Sequence, residues 1–287
     1  MRVSVIHMGE VAIFFEKQIG FDCLRILAAS EPEARIHAIT STENSASFPS
    51  LTAYCSEKKI RLLVIDSPND EGFLHRLRES EVKLAFAVSY SRIFKSEIIR
   101  LLSGGIFNLH PAYLPRQRGC FPTMWSIIEG DQYAGYTLHR IDDGIDTGPL
   151  IAQVRIPITE SDTGESLYAK QVFYGRRLFA EWACRILRGD FSYLEFSGGG
   201  CYHNKDLPFG GAVPWRESYE VIERTIRAFT HSDFPGLKAV VDGEEIEVIG
   251  IERAMNHGLS KVGDWKVDGT SIYFRCKDQT VKVAYIK

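Results

Sequence analysis

The sequence predicts an α/β fold: a Rossmann-like, mostly parallel sheet flanked by helices, followed by a small, β-rich, barrel-like C-terminal domain. In the first part of the chain, short apolar runs alternate with segments whose apolar residues recur at helical spacing. Continuous apolar strands between amphipathic helices are typical of a parallel sheet covered on both faces. Near residue 205 the pattern changes to short alternating strands separated by Asp-Gly turns, which predicts the second domain.

The predicted elements of the first part alternate regularly. The strands are predicted at residues 3–6, 36–40, 62–65, 84–89 and 106–110, and the helices at residues 16–29, 50–58, 70–79 and 95–102. Two alternating segments follow, residues 136–140 and 150–156, and they are interpreted as antiparallel strands. A long helix is predicted at residues 165–187, with a capping signal from Thr163. Sheets of this kind bind ligands beyond the carboxyl ends of their strands.

The rest of the chain is predicted to be mostly β. Residues 197–200 and 208–214 are rich in Gly and Pro and are interpreted as an irregular connector, before a helix at residues 218–229. Short strands are predicted at residues 238–241, 246–251, 265–267, 271–275 and 280–285. The dipeptides Asp242-Gly243 and Asp268-Gly269 are typical of hairpin turns. We therefore expect a larger α/β domain at residues 1–204 and a small β-rich domain at residues 205–287.

Composition narrows the functional classes. The net charge of −3 gives no long-range attraction to nucleic acid or anionic membrane. No apolar run approaches the length of about 18 residues that spans a bilayer, and the N-terminal apolar run is too short for a signal peptide. The six cysteines are scattered without a CxxC pair, which is typical of reduced cytoplasmic proteins. We expect a cytoplasmic location, no metal site, no nucleic-acid partner and no membrane partner.

Three polar residues stand where strands give way to loops. A lone histidine such as His110 is more often structural than catalytic, but Asn108 lies two residues earlier and therefore projects from the same strand face. Pro111 stiffens the loop that follows. Asp146 lies in a segment rich in Asp and Gly, which by itself predicts only a turn. Because that segment joins two strands expected beside His110, a His–Asp pair is geometrically feasible.

Two segments carry a family resemblance. Residues 108–119 (NLHPAYLPRQRG) and 142–148 (DDGIDTG) resemble the two signatures of the formyltransferases that use N10-formyltetrahydrofolate. This group includes glycinamide ribonucleotide transformylase, methionyl-tRNA formyltransferase and the nucleotide-sugar N-formyltransferases. The similarity continues through residues 149–153 and is good over residues 80–190. Residues 222–229, followed by Pro235-Gly236, resemble the β-barrel domain of the family.

The resemblance implies a role for each residue of the signatures. Asn108 would donate its amide to the formyl oxygen as negative charge develops there. His110 would accept the proton of the attacking amine or polarise the carbonyl, and Asp146 would orient His110, tune its pKa and help move the proton to the departing folate nitrogen. The implied folate contacts are Val88, Ser89, Tyr90, Ile93, Ile141, Asp142, Asp143 and Gly144. For Val88 and Ile93, plain core packing is an equally good interpretation.

The amine acceptor is predicted from the charge of the tail and from residues in and just after the first signature that differ from the pattern of the tRNA-modifying enzymes. From Arg188 to Lys287 there are 13 Lys and Arg against 15 Asp and Glu, whereas a tail that binds tRNA should carry excess positive charge. Tyr113 and Phe121 resemble the sugar-modifying branch of the family. The purine-pathway enzyme has no tail domain of this size. We therefore expect an NDP-amino sugar as the substrate, used in the synthesis of surface polysaccharide such as O-antigen lipopolysaccharide.

The remaining predictions concern the residues that contact the substrate and two alternative functions. The candidate substrate-binding residues are Phe14, Tyr113, Arg116, Arg118, Tyr202 and Lys205. Phe15 is a further candidate beside Phe14, although core packing is the better interpretation for at least one of them. The β-rich tail could contribute a homodimer interface. Two alternatives stay open: a methionyl-tRNA formyltransferase, and an inactive relative that serves as a folate- or nucleotide-binding module.

Overall fold

The computed structural model describes residues 9–194, 199–232 and 235–286. The chain divides into two compact units. The first takes the chain up to Arg118 together with Gly135–Ile156 and Gln171–Cys201. The second takes Gly119–Ala134, Pro157–Lys170 and the chain from Tyr202 onward. The second unit therefore resumes close to the predicted boundary at residue 205, but it also recruits two earlier segments that a single cut of the sequence does not include.

Within the described residues, a seven-stranded sheet forms the centre of the first unit. Its strands are β1 (Glu10–Phe15), β2 (Arg35–Thr40), β3 (Arg61–Val64), β4 (Leu84–Val88), β5 (Gly105–His110), β7 (Tyr133–Arg140) and β8 (Leu150–Pro157), with the short strand β6 (Arg118–Gly119) between β5 and β7 in the chain. The order across the sheet is β3-β2-β1-β4-β5-β7-β8. The first five strands pair in parallel, and β7 is antiparallel to β5. This confirms the predicted mostly parallel sheet.

Helices connect these strands. They are α1 (Lys17–Ser30), α2 (Thr42–Ser47), α3 (Pro49–Glu57), α4 (Glu71–Arg78), α5 (Ser96–Leu101), α6 (Pro122–Ile128) and α7 (Gly164–Leu187). The sequence does not predict the short helices α2 and α6; the residues of α2 (TENSAS) contain no apolar stripe from which a helix could be predicted. The strand predicted at residues 3–6 lies outside the described residues. The first described strand is instead β1, a buried apolar run that precedes α1.

The two faces of the sheet are both covered by helices, as the sequence predicted. Along β1, Ile13 and Phe15 enter the core cluster that includes α1 and α7, while Phe14 enters the cluster that includes α4 and α5. Phe14 is fully buried, and its ring packs 5.0 Å from that of Phe94. Phe14 and Phe15 are therefore core residues, and neither side chain is accessible to a substrate; this corrects the expectation that Phe14 binds the sugar.

The second unit contains a five-stranded antiparallel sheet in its described part. Its elements are the short strand β9 (Tyr202–His203), a 3₁₀ turn (Pro208–Gly211), α8 (Tyr219–Phe229), β10 (Leu237–Val241), β11 (Glu244–Ala254), β12 (Trp265–Asp268), β13 (Ser271–Arg275) and β14 (Thr280–Ile286). Asp242 (φ 53°) and Gly243 (φ 81°) form the predicted tight turn between β10 and β11, since both adopt the positive φ that such hairpins require. Across the described part of the chain, no helix is both long and apolar enough to cross a membrane.

Candidate active site

The end of β5 presents two of the predicted site residues on one face. Phe107 and Leu109 point into the core cluster shared with α7, so Asn108 and His110 point to the other side. The antiparallel neighbour β7 places His139 directly opposite Asn108 in the register. Cross-strand partners on the same face lie within side-chain reach. The sheet therefore brings His139, which the sequence did not single out, into contact with Asn108.

The loop between β7 and β8 positions the third predicted residue, Asp146. The Asp142 carboxylate organises this loop, because its Oδ1 accepts hydrogen bonds from the Gly144 backbone N–H (3.0 Å) and the Thr147 hydroxyl (2.8 Å). At Gly148, an added Cβ would lie 1.8 Å from the Arg140 carbonyl oxygen, so only glycine permits this close approach. Asp146 itself has a φ of 51°, in the left-handed region. The loop thus holds Asp146 in a conformation that a free chain rarely adopts.

The structure brings the three predicted residues together around one carboxylate. Asp146 Oδ2 lies 3.5 Å from His110 Nδ1, and Asp146 Oδ1 lies 3.3 Å from Asn108 Nδ2 and 3.4 Å from His139 Nε2. The side chains of Asp146, His110 and His139 are only 12%, 6% and 1% exposed. We call Asn108, His110, His139 and Asp146 the Asp146 cluster. Charges act strongly between such groups because little water screens them.

His110 is poised to accept a proton. Its Nε2 lies 3.0 Å from the Gln117 carbonyl oxygen, and since a carbonyl only accepts, Nε2 is the donor. The neutral ring therefore carries its lone pair on Nδ1, which faces Asp146. Burial holds the pKa of His110 below its ordinary value, although the Asp146 carboxylate opposes this shift. A neutral imidazole at pH 7 can take up a proton, and both N–H groups of the resulting cation would then face oxygen acceptors.

Backbone strain accompanies both groups that contact His110. Gln117 has a φ of 59°, and Asp146 has a φ of 51°. Gln117 is almost fully buried. Positive φ in residues other than glycine costs free energy and persists where the surrounding structure fixes it, often at functional sites. Both residues that set the orientation of the His110 ring therefore have a strained backbone.

His139 is the member of the Asp146 cluster that sequence reasoning missed. Its Nδ1 lies 3.1 Å from the Arg140 carbonyl oxygen, and its Nε2 lies 3.1 Å from Asn108 Nδ2. The signal available in the sequence was a histidine inside a mostly apolar strand, seven residues before Asp146. That signal is weak, because only the pairing of β7 with β5 shows which residue the histidine faces.

The predicted folate contacts come from two segments that the structure joins. Ser96, at the start of α5, donates from its hydroxyl to Asp143 Oδ1 at 2.6 Å and so links the exit of β4 to the Asp-rich loop. In that loop Asp142 and Gly144 form the turn described above, and Ile141 is half-buried against the α4/α5 core cluster. The bond between Ser96 and Asp143 thus joins the two segments, and contact of the predicted residues with folate stays a prediction.

The residues at the exit of β4 differ in exposure. The Val88 side chain is fully buried and its carbonyl accepts from the Glu16 N–H (3.2 Å), so core packing is its role here. Ile93 is 65% exposed, which removes the core-packing interpretation for it. Ser89 is half-buried with a φ of 50°. The Tyr90 ring packs on Phe14, and its buried hydroxyl has no hydrogen-bond partner among the described residues.

The predicted substrate contacts are spread over both units. In the first unit Tyr113 is half-buried, with the Arg155 guanidinium 4.8 Å from its ring centroid. Arg116 is exposed, while Arg118 is half-buried and its Nε has no hydrogen-bond partner within the described ranges. Tyr202 and Lys205 are exposed residues of the second unit. Substrate contact by these five residues stays a prediction.

Comparison with known proteins shows which family this chain resembles. The formyl transferase family model matches residues 38–182, and the model of the formyl transferase C-terminal domain matches residues 210–287. A GDP-perosamine N-formyltransferase of Brucella melitensis is 31% identical over 193 residues, which cover 67% of this chain and 74% of that protein. A methionyl-tRNA formyltransferase of Thermodesulfovibrio yellowstonii is 29% identical over 64% of this chain and 59% of that protein.

A solved structure shows the same fold over the whole chain. The N-formyltransferase from Helicobacter canadensis, in complex with folinic acid and dTDP-3-aminofucose, superposes with a TM-score of 0.70. The match covers 98% of this chain and 99% of that one at 21% identity. The two family models match the two parts of the sequence that carry the predicted signatures and the predicted tail. This chain belongs to the formyl transferase family.

Proposed function

We propose that this protein transfers the formyl group of N10-formyltetrahydrofolate to the primary amine of a nucleotide-linked amino sugar. The observation that carries the proposal is the Asp146 cluster, in which an amide donor and a buried neutral imidazole each have a nitrogen atom within 3.5 Å of the Asp146 carboxylate. Acyl transfer to an amine needs a donor for the developing oxyanion and a base for the amine proton. The 31% identical relative, a GDP-perosamine N-formyltransferase, supports the sugar amine as acceptor.

The residues would divide the chemistry between them. His110 Nδ1 accepts the proton that the amine loses as its nitrogen bonds to the formyl carbon, and the proton leaves with folate nitrogen N10 as the old C–N bond breaks. Asn108 Nδ2 donates to the formyl oxygen while that oxygen carries negative charge. Asp146 stabilises the His110 cation through Oδ2, at 3.5 Å in this structure. No covalent enzyme intermediate is needed, because the amine is itself the nucleophile.

The charge of the C-terminal third of the chain supports a sugar rather than a tRNA acceptor. The stretch from Arg188 to Lys287 carries 13 basic against 15 acidic residues, so it offers no excess of cations for phosphates. Methionyl-tRNA formylation is the second candidate, supported by the 29% identical relative. A role in surface polysaccharide or O-antigen synthesis and a cytoplasmic location are further predictions that follow from the sugar acceptor and the composition. A homodimer formed through the β-rich tail is also predicted.

One experiment separates these candidates. The purified protein is incubated with N10-formyltetrahydrofolate and, separately, with a panel of NDP-amino sugars or with initiator Met-tRNA, and the products are examined by mass spectrometry. We expect an amino sugar to gain one formyl group and Met-tRNA to gain none. Formylation of Met-tRNA alone would establish the second candidate. Folate binding without formylation of any acceptor would favour an inactive binding module. The His110→Ala variant, assayed in the same way, is the control without the proposed base.

A further inference from the structure

We infer that His139 is a positioning residue: it fixes the orientation of the Asn108 amide, so that an N–H of this amide is presented to the formyl oxygen. The inference rests on the proposed formyl transfer. His139 is 1% exposed, and polar atoms within hydrogen-bond distance lie at both of its ring nitrogens. A buried imidazole of this kind adopts the tautomer that its fixed neighbours select.

The Arg140 carbonyl selects the tautomer of His139. This oxygen lies 3.1 Å from Nδ1 and can only accept, so Nδ1 carries the proton. In the neutral ring Nε2 then carries the lone pair. The alternative tautomer would place the Nδ1 lone pair against the carbonyl oxygen. Its Nε2–H would have Asp146 Oδ1 within reach at 3.4 Å, but this contact is longer than the 3.1 Å between Nδ1 and the carbonyl oxygen. The backbone of the residue that follows His139 therefore makes Nε2 a hydrogen-bond acceptor.

The lone pair on His139 Nε2 in turn selects the orientation of Asn108. Only the amide nitrogen can donate to it, and Asn108 Nδ2 lies 3.1 Å away. The same nitrogen donates to Asp146 Oδ1 at 3.3 Å. If the amide were flipped, its oxygen would face both the Nε2 lone pair and the Asp146 carboxylate. Two independent acceptors therefore hold the NH₂ end of Asn108 inside the Asp146 cluster.

The two hydrogen bonds of Asn108 suggest how an N–H becomes available. The bond to His139 is the shorter one, and it pairs Asn108 with a residue fixed in a neighbouring strand. The bond to Asp146 is longer and ends on a loop carboxylate whose other oxygen faces His110. As His110 becomes protonated, Asp146 is drawn toward it by charge. The second N–H of Asn108 is then released toward the formyl oxygen, while His139 keeps the amide from rotating.

The chain offers a matched pair of variants to test this. The amide of glutamine reaches the position of the His Nε2 atom, and the amide of asparagine reaches only that of Nδ1. His139→Gln therefore preserves an acceptor for Asn108, whereas His139→Asn preserves a donor for the Arg140 carbonyl and removes that acceptor. Thermal unfolding and the KM for N10-formyltetrahydrofolate are measured for both variants. Steady-state kinetics then separates effects on kcat from effects on KM.

We expect His139→Asn to lower kcat on the order of tenfold to a hundredfold, less than the loss of an oxyanion donor itself, with KM nearly unchanged. His139→Gln should recover most of the lost kcat. Equal losses in the two variants, or an unchanged kcat in His139→Asn, would overturn the inference. A purely structural role would lower the unfolding temperature in both variants without this difference in kcat.

A second measurement does not require the amine substrate to be known. Nitrogen-15 NMR of the wild-type protein reports which ring nitrogen of His139 carries the proton. We expect a protonated Nδ1 and an unprotonated Nε2; the reverse tautomer would overturn the inference even if a variant fails to fold. If the wild type formylates no amino sugar, the proposed function fails, while the NMR result still decides the role of His139.

Discussion

Replacing Asp146 with asparagine tests whether a charge, rather than a shape, supports His110. The change removes the carboxylate that lies 3.5 Å from His110 Nδ1 and keeps nearly the same volume. Asparagine also tolerates the positive φ of 51° at this position, so the loop backbone should persist. We therefore expect a folded protein whose defect is chemical.

The magnitude follows from the geometry. Two unit charges about 3.5 Å apart interact by about 5 kcal/mol at an effective dielectric constant of about 20, and each 1.36 kcal/mol corresponds to about one pKa unit. Partial solvent access to Asp146 reduces this interaction, since its side chain is 12% exposed. We expect kcat/KM to fall on the order of a hundredfold to a thousandfold, because the His110 cation loses its counter-charge in the transition state.

The pH profile of kcat/KM shows in which direction the pKa of His110 moves when the Asp146 carboxylate is removed. Burial lowers the pKa of His110, and the Asp146 carboxylate partly opposes that shift. Without the carboxylate the pKa of His110 falls further, so the neutral base survives to lower pH. The acid limb of kcat/KM should therefore move to lower pH while the plateau drops.

The assay is formyl transfer measured from low to neutral pH for the wild type, Asp146→Asn and a matched control. Asp190→Asn serves as the control, because Asp190 is 74% exposed and pairs with Arg185 at the surface. The control should keep wild-type activity. A plateau unchanged in Asp146→Asn, or an acid limb that moves to higher pH, would refute the reasoning.

Three further predictions concern variants of His110, Gly148 and Asp162. His110→Ala should keep folate binding, measured by calorimetry, but lose formyl transfer; unchanged turnover would exclude His110 as the base. Gly148→Ala should lower both the unfolding temperature and activity, because the new Cβ would lie 1.8 Å from the Arg140 carbonyl oxygen; wild-type values of both would contradict this. Asp162 is buried, and although burial itself opposes the shift, its hydrogen bonds, led by that from Lys170, lower its pKa to about 2. The stability that this depressed pKa contributes, about 2 kcal/mol, is present above about pH 4 and lost as the pH falls toward 2. The difference in unfolding free energy between wild type and Asp162→Asn should therefore shrink as the pH falls through that window, and a constant difference would contradict this.

Much of the architecture could be predicted because local patterns carry it. Apolar runs and helical spacing predicted most strands and helices of the first unit, and Asp242-Gly243 predicted a hairpin that the structure confirms. The strand at residues 10–15 was not predicted, since this stretch continues an apolar pattern that begins earlier in the chain, and the strand predicted at residues 3–6 lies outside the described residues. The fully buried positions of Phe14 and Val88 were equally undecidable, because an apolar residue near a strand end suits a core or a binding pocket equally well.

The sequence by itself determined the family, the type of fold, the spacing that puts Asn108 and His110 on one strand face, and the glycine-rich loop that carries Asp146. Only the tertiary structure decided that β7 lies beside β5, and with that pairing His139 joined the Asp146 cluster. It also decided which nitrogen of His110 bears the proton, through the Gln117 carbonyl. The physical reason is that spacing along a strand is a local property, whereas hydrogen-bond partners across a sheet depend on which distant segments pair.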